Sequence, residues 1–222
     1  MARAVVFDID GTLVNSVWLH AEAWRLAFEH FGVSVALQDV RKQIGKGGDQ
    51  LIPVFLSREQ LATFGERLTE YRAELWKSDF LPRVRAFPGV RALVERARSD
   101  GAKVVLASSA HGDELATYKR IADIADLVSA ETSADDADRS KPHPDIFEAA
   151  LDKAQIYARD AVVVGDSPYD AAAAAAIGLR SIGVLTGGFG EAELRAAGYS
   201  ELYRDISDLL AHYEDSLLAE DA

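Results

Sequence analysis

Short continuous apolar runs alternate with stretches of helical periodicity along most of this chain. Residues 4–7, 104–107, 161–164 and 181–185 lack polar alternation, the mark of strands covered on both faces, as in a parallel sheet. Leu127-Val128 is a weaker candidate for one more strand between the second and third of these. Residues 88–100, 111–122, 143–154, 168–177 and 205–213 carry apolar positions at helical spacing. Strand and helix in alternation imply an α/β fold: a Rossmann-like three-layer core around a parallel sheet joined by right-handed crossovers.

Residues 15–82 break that rhythm. They show no convincing strand, only apolar residues at helical spacing: Trp18, Leu19, Ala23, Leu26 and Ala27, then Leu51, Ile52 and Phe55, then Leu61, Phe64, Leu68, Tyr71 and Leu75. Gly32, the stretch Gly45-Lys46-Gly47-Gly48 and Pro53 punctuate them. The expected organisation is an α/β core built from 1–14 and 83–222, with an α-helical cap domain, 15–82, inserted after the first strand. Residues 214–222 are expected to be a frayed tail.

Length and composition narrow the function classes. The chain has 222 residues, enough for one large domain or a domain with a smaller insertion. It is 49% apolar and 27% charged, and no apolar stretch approaches the roughly 20 residues of a membrane helix. The N-terminus shows no secretory pattern, so the expected location is cytoplasmic. The lack of cysteine removes disulfides, thiolate metal sites and cysteine nucleophiles. A net charge of −12 argues against nucleic acid as the main partner, because such binders need basic patches. A small phosphorylated molecule stays possible, since one metal ion and a local lysine can reverse the sign inside a site. A monomer or homodimer is expected.

Ligands of open parallel sheets bind beyond the carboxyl ends of the strands. The first run ends in Asp8-Ile9-Asp10-Gly11-Thr12, with two carboxylates at i and i+2, on one face of an extended strand. Two anions so placed repel unless a cation holds them or one keeps a proton. The second run ends in Ser108-Ser109, and the next in Gly165-Asp166, with Asp170 four residues on. Lys141 precedes a helix in Lys141-Pro142-His143-Pro144-Asp145. Singly, each has a plain reading: Ser108 as a turn or cap residue, Lys141 as a solvated lysine, Asp166 with Ser167-Pro168 as a helix cap. The acidic run Asp135-Asp136-Ala137-Asp138 reads as a solvated loop rather than a second metal site. The joint occurrence of the others in order at strand ends points to one site.

These motifs resemble those of the haloacid dehalogenase superfamily: Asp8-Ile9-Asp10-Gly11-Thr12 its first, Ser108 its second, Lys141 its third, and Gly165-Asp166-Ser167-Pro168-Tyr169-Asp170 its fourth. The helical insertion resembles the small cap of the phosphoglycolate phosphatase and β-phosphoglucomutase branch. The resemblance implies Asp8 as the nucleophile of an aspartyl-phosphate and Asp10 as general acid and base. It implies Mg2+ at Asp8, Asp166 and the backbone carbonyl of Asp10, with Ser108, the Ser109 amide and Lys141 on the phosphoryl oxygens. Asp170 would orient Lys141 or a metal-bound water. Dehalogenases of the superfamily carry an aromatic residue where Asp10 stands, so phosphate ester hydrolysis of a small molecule is the expected reaction. Gly165 before Asp166 resembles a phosphatase. The stretch Leu19 to Trp24 is similar to the first cap helix of the mutases, so a phosphosugar mutase is the alternative. His20 and Trp24, four apart on one helical face, and Lys46 in its glycine-rich loop are the cap's candidate specificity residues, although Trp24 also reads as cap core and His20 as a surface residue.

Overall fold

The first strand, β1 (Ala4–Phe7), is completely buried and lies in the middle of a six-stranded parallel sheet. The computed structural model describes residues 2–220. Between β1 and the second strand come α1 (Val17–His30), α2 (Leu37–Arg41), α3 (Gly48–Phe55) and α4 (Arg58–Leu75), then a π-helical turn at Trp76–Phe80. The sheet then resumes through α5 (Val90–Ser99), β2 (Lys103–Ala107), α6 (Gly112–Ile121), β3 (Ala130–Thr132), α7 (Asp145–Ala154) and β4 (Ala161–Gly165). It ends with α8 (Pro168–Ala176), β5 (Arg180–Val184), α9 (Glu191–Ala197), β6 (Glu201–Tyr203) and α10 (Ile206–Ala211). The strand order is β3-β2-β1-β4-β5-β6, the doubly wound arrangement whose order reverses beside β1.

Successive residues of β1 serve opposite cores. Val5 and Phe7 pack with Val94, Leu115 and Leu209 on one face, and Ala4 and Val6 with Phe147, Ala150 and Ala174 on the other, as the two-residue period of a strand requires. The inserted helices bury their own cluster, with Trp24, Phe28, Val40, Leu51 and Leu68 at its centre. The two chain segments that join this layer to the sheet pair with each other: the Asn15 amide donates to the Arg85 carbonyl at 2.8 Å and the Phe87 amide to the Leu13 carbonyl at 3.0 Å.

The structure corrects two expectations and adds three elements. The strand following β2 is Ala130-Glu131-Thr132, not Leu127-Val128, whose Leu127 lies in a turn. A sixth strand, β6, and two short helices, α2 and α9, carry too few apolar residues to show a period. Residues 214–220 are not frayed: Ser216, Leu217 and Leu218 are buried, and the Ala2 amide donates to the Leu218 carbonyl at 3.3 Å. Residues 221 and 222 lie outside the described residues. Among the described residues, no helix is long and apolar enough to cross a membrane.

Candidate active site

β1 ends at Phe7, so Asp8 to Asp10 follow the strand instead of continuing it. Their side chains part company. Asp8 turns under the sheet edge, where the Lys141 ammonium lies 2.5 Å from one of its oxygens and the Thr12 hydroxyl 3.2 Å from the other. Asp10 turns toward the helical layer, taking the Ser16 hydroxyl at 2.5 Å and His20 Nε2 at 2.8 Å. The repulsion expected between paired acids on one strand face is therefore relieved by separate partners, Lys141 and Thr12 for Asp8, Ser16 and His20 for Asp10.

The other strand ends converge on Asp8. Asp166, after β4, accepts the same Thr12 hydroxyl at 3.0 Å. Asp170 sits in the first turn of α8, where Ser167, not Asp166, is the N-cap, and its second carboxylate oxygen takes the Ser167 amide and hydroxyl. Its first oxygen lies 2.8 Å from Lys141. Lys141 is thus a fully buried ammonium between two carboxylates, not a solvated lysine. Burial pulls its pKa down, but the charges of Asp170 and Asp8 outweigh that and hold it raised.

The donor set was tested for Mg2+ on charge and chemistry. Asp8, Asp166 and Asp170 are all buried and can each bring one oxygen within 4.8 Å of the others. Three carboxylates face one ammonium, which leaves two negative charges that a divalent ion would balance. Burial first, then the neighbouring carboxylates, push the Asp166 carboxyl well above its usual range; burial, partly offset by Lys141, pushes Asp8 up to about 7. Such a crowd of hard oxygen donors fits Mg2+. Asp10 brings no carboxylate to this cluster, so only its backbone carbonyl could contribute. Space beside Asp166 depends on glycine: a Cβ at Gly187 would stand 1.8 Å from an Asp166 oxygen. Gly187→Ala is expected to displace that carboxylate and weaken Mg2+ binding by about 10–100-fold, the usual cost of disturbing a ligand's support. A Mg2+ titration of the melting temperature measures it.

Above Asp8 and Asp10, the helical layer and the sheet edge enclose a cavity of about 450 Å³. The two meet through the Tyr169 hydroxyl, which donates to the Lys42 carbonyl at 2.5 Å, and through the Ser140 amide on Asp49 at 3.2 Å. Gly45 passes so close to Ser167 that a Cβ would come 2.7 Å from its hydroxyl, and its φ of +106° independently favours glycine. Ser109 lines the cavity, whereas the buried Ser108 accepts the Ala110 amide at 3.1 Å with its hydroxyl, the geometry of a turn. Trp24 is both core of the helical layer and cavity wall. Lys46 lines the wall too, with its ammonium over the Tyr169 ring at 4.7 Å and on Gln43 at 2.6 Å.

His20 is buried rather than superficial, stacked on Trp76 at 3.6 Å between ring centres. Its Nδ1 faces an Arg72 guanidinium nitrogen, which can only donate, so Nε2 carries the hydrogen that Asp10 accepts. Burial would raise the Asp10 carboxyl, but His20 beside it and the Ser16 hydroxyl outweigh that and hold it below its usual range. Arg72, Trp76 and Tyr118 around this histidine, and Thr12 between Asp8 and Asp166, were given no role by the sequence patterns. Thr12 was in view inside the first motif. Trp76 faces inward because the π-helical turn after α4 rotates it there.

A profile of the haloacid dehalogenase-like hydrolases matches residues 5–184. The chain is 32% identical to a phosphoglycolate phosphatase of Yersinia pseudotuberculosis over 98% of its own length and 92% of the relative's. It is 27% identical to a phosphorylated carbohydrates phosphatase of Thermotoga maritima over 81% of this chain and 83% of that one. A hydrolase from Pseudomonas syringae superposes with a TM-score of 0.88 at 28% identity, covering 96% of this chain and 98% of the other. With the motif residues gathered at one sheet edge, the chain belongs to the haloacid dehalogenase-like hydrolases and is an enzyme of that family.

Proposed function

We propose that this protein is a Mg2+-dependent phosphatase that hydrolyses a small phosphate monoester through an aspartyl-phosphate on Asp8. One observation carries the reading: Asp8 and Asp10 both face the enclosed cavity, and Lys141, Asp166 and Asp170 are buried around Asp8. The Asp8 oxygen free of Lys141 attacks phosphorus, and the bond from phosphorus to the ester oxygen breaks. Asp10 gives that oxygen a proton, then takes one from the water that releases phosphate; acid-base help of this kind is worth about 10²–10⁴-fold. Its lowered pKa suits it to the second of these tasks, and the proton it takes from water there is the one it gives to the leaving oxygen of the next turnover. Lys141, the Ser109 amide and Ser108 would hold the phosphoryl oxygens. Mg2+ bound by Asp8, Asp166 and the Asp10 carbonyl would supply charge neutralisation at those oxygens.

The helical layer would act as a cap (15–82) that shuts out water for the first step and admits it for the second. The paired segments around Asn15 and Arg85 are its hinge. Lys46→Ala is expected to change KM or the ranking among substrates without abolishing turnover of p-nitrophenyl phosphate, as kinetics on an ester panel would show. A phosphosugar mutase is the second reading, favoured by the seating of His20 on Asp10 and opposed by Gly165 before Asp166; coupled assay of β-glucose 1-phosphate conversion against phosphate release separates the two. The reading as a whole is tested by a Mg2+-dependence screen over small phosphate esters with Asp8→Asn as control. Release of phosphate by the wild type alone supports it; no release, or equal release by both proteins, overturns it.

A further inference from the structure

Arg72 projects from α4 into the cavity wall and is its only arginine among the described residues. It is unusually placed for a cation. Its guanidinium lies between two tryptophan faces, 5.0 Å from the Trp24 ring centre and 5.2 Å from that of Trp76. Among the described residues it forms no salt bridge, and its one hydrogen-bond acceptor is His20 Nδ1. A guanidinium carries five N–H donors. Its Nε is sealed from solvent without an acceptor, and so is the indole Nε1 of neighbouring Trp76.

Two of the anions nearby are engaged elsewhere. Glu114 takes the Tyr118 hydroxyl at 2.5 Å, and Asp113 stands 3.7 Å from Lys77. Buried donors without acceptors are costly to leave so, and burial lowers the Arg72 pKa, the mark of an uncompensated cation. The position also matters. His20 spans from Arg72 at Nδ1 to Asp10 at Nε2, so Arg72 is one imidazole ring from the group that would protonate the leaving oxygen. A group held by Arg72 is therefore on the leaving alcohol.

We infer that Arg72 is the receptor for a carboxylate on the leaving group, so that the substrate class is a short phosphorylated hydroxycarboxylic acid rather than a neutral sugar phosphate. This rests on the phosphatase reading above. A planar guanidinium fork matches a carboxylate's two oxygens, and the Trp24 and Trp76 rings flank it.

Two esters of the same carbon chain length test it, phosphoglycolate and 2-hydroxyethyl phosphate, in which a neutral hydroxymethyl group replaces the carboxylate. Because Arg72 also touches His20, Arg72→Ala will slow both esters, so the readout is the ratio of their kcat/KM values. Wild type is expected to favour phosphoglycolate by about 10–100-fold or more, as charge-paired recognition gives, and Arg72→Ala to bring the ratio near one, with Arg72→Lys between. Calorimetry with Mg2+ present adds a readout that needs no turnover: 3-phosphonopropionate should bind wild type more tightly than propylphosphonate does, and Arg72→Ala should erase the difference. Equal treatment of both esters by wild type, or a preference and binding difference unchanged in Arg72→Ala, overturns the inference and leaves Arg72 a structural clamp. Should no ester be turned over by wild type, the phosphatase reading fails; the phosphonate pair still decides whether Arg72 selects a carboxylate.

Discussion

Asp8→Asn is expected to lower kcat on every ester by on the order of 10⁴–10⁶-fold, as loss of a nucleophile does in other covalent enzymes. The amide cannot attack phosphorus, while its size and its contact with Thr12 are nearly preserved. Stability should move the other way. In the folded protein the Asp8 carboxyl is pushed up from 3.8 to about 7 by burial, against the pull of Lys141. Between those two values the folded state holds more protons at this position than the unfolded chain, so without divalent cation Asp8 subtracts stability as pH rises from about 4 to about 7. Asp8→Asn should flatten that decline and be as stable as the wild type or more so at neutral pH in chelator. Urea titrations across this pH range measure it. An inactive variant that is also unfolded would contradict the placement of Asp8 as an acid that burial holds above its ordinary pKa.

Lys141→Ala should be the most destabilising single change at the site. The ammonium is fully buried and touches Asp8 at 2.5 Å and Asp170 at 2.8 Å. Removing one partner from a buried ionic cluster costs about 3–5 kcal/mol, which in a chain of this size is a fall in melting temperature of about 6–20 °C. Activity should fall as well, because the cation that orients Asp8 is gone. A double variant, Lys141→Met with Asp170→Asn, separates the two effects. It replaces a charge pair by neutral groups of similar size, so much of the stability should return, but turnover should not. Recovery of turnover in the double variant would show that Lys141 acts only as a structural counterion.

The chemistry of the site was more legible in the sequence than its wiring. Four buried strands, β1, β2, β4 and β5, stand out because both of their faces are covered, which demands uninterrupted apolar runs. The edge strands β3 and β6 have three residues each and carry Glu131 and Glu201; half-buried edges need no such run, so they left no pattern. The tail defied its composition because two consecutive leucines, Leu217 and Leu218, tuck against the sheet layer. Asp8 and Asp166 could be brought together from strand ends alone, since parallel topology puts those ends on one edge; Asp170 follows Asp166 by four residues, and Lys141, in the loop before α7, was assigned to the site through the motif resemblance. The direction of a side chain past a strand end could not be read that way. Asp10 leaves the face it shares with Asp8 because the backbone has already turned, and Ser108 spends its hydroxyl on a turn. Arg72 was hidden for another reason: on the polar side of a long amphipathic helix, an arginine facing a cavity and one facing water leave the same periodic trace.

The central claim is a phosphoryl group carried by Asp8. Wild-type protein mixed with Mg2+ and excess phosphate ester, quenched in acid during turnover and cleaved for peptide mass mapping, should yield the N-terminal peptide containing Asp8 with the added mass of one phosphoryl group. The same peptide from Asp8→Asn should be unmodified. Steady turnover with phosphate on no residue, or on a residue other than Asp8, would contradict the account.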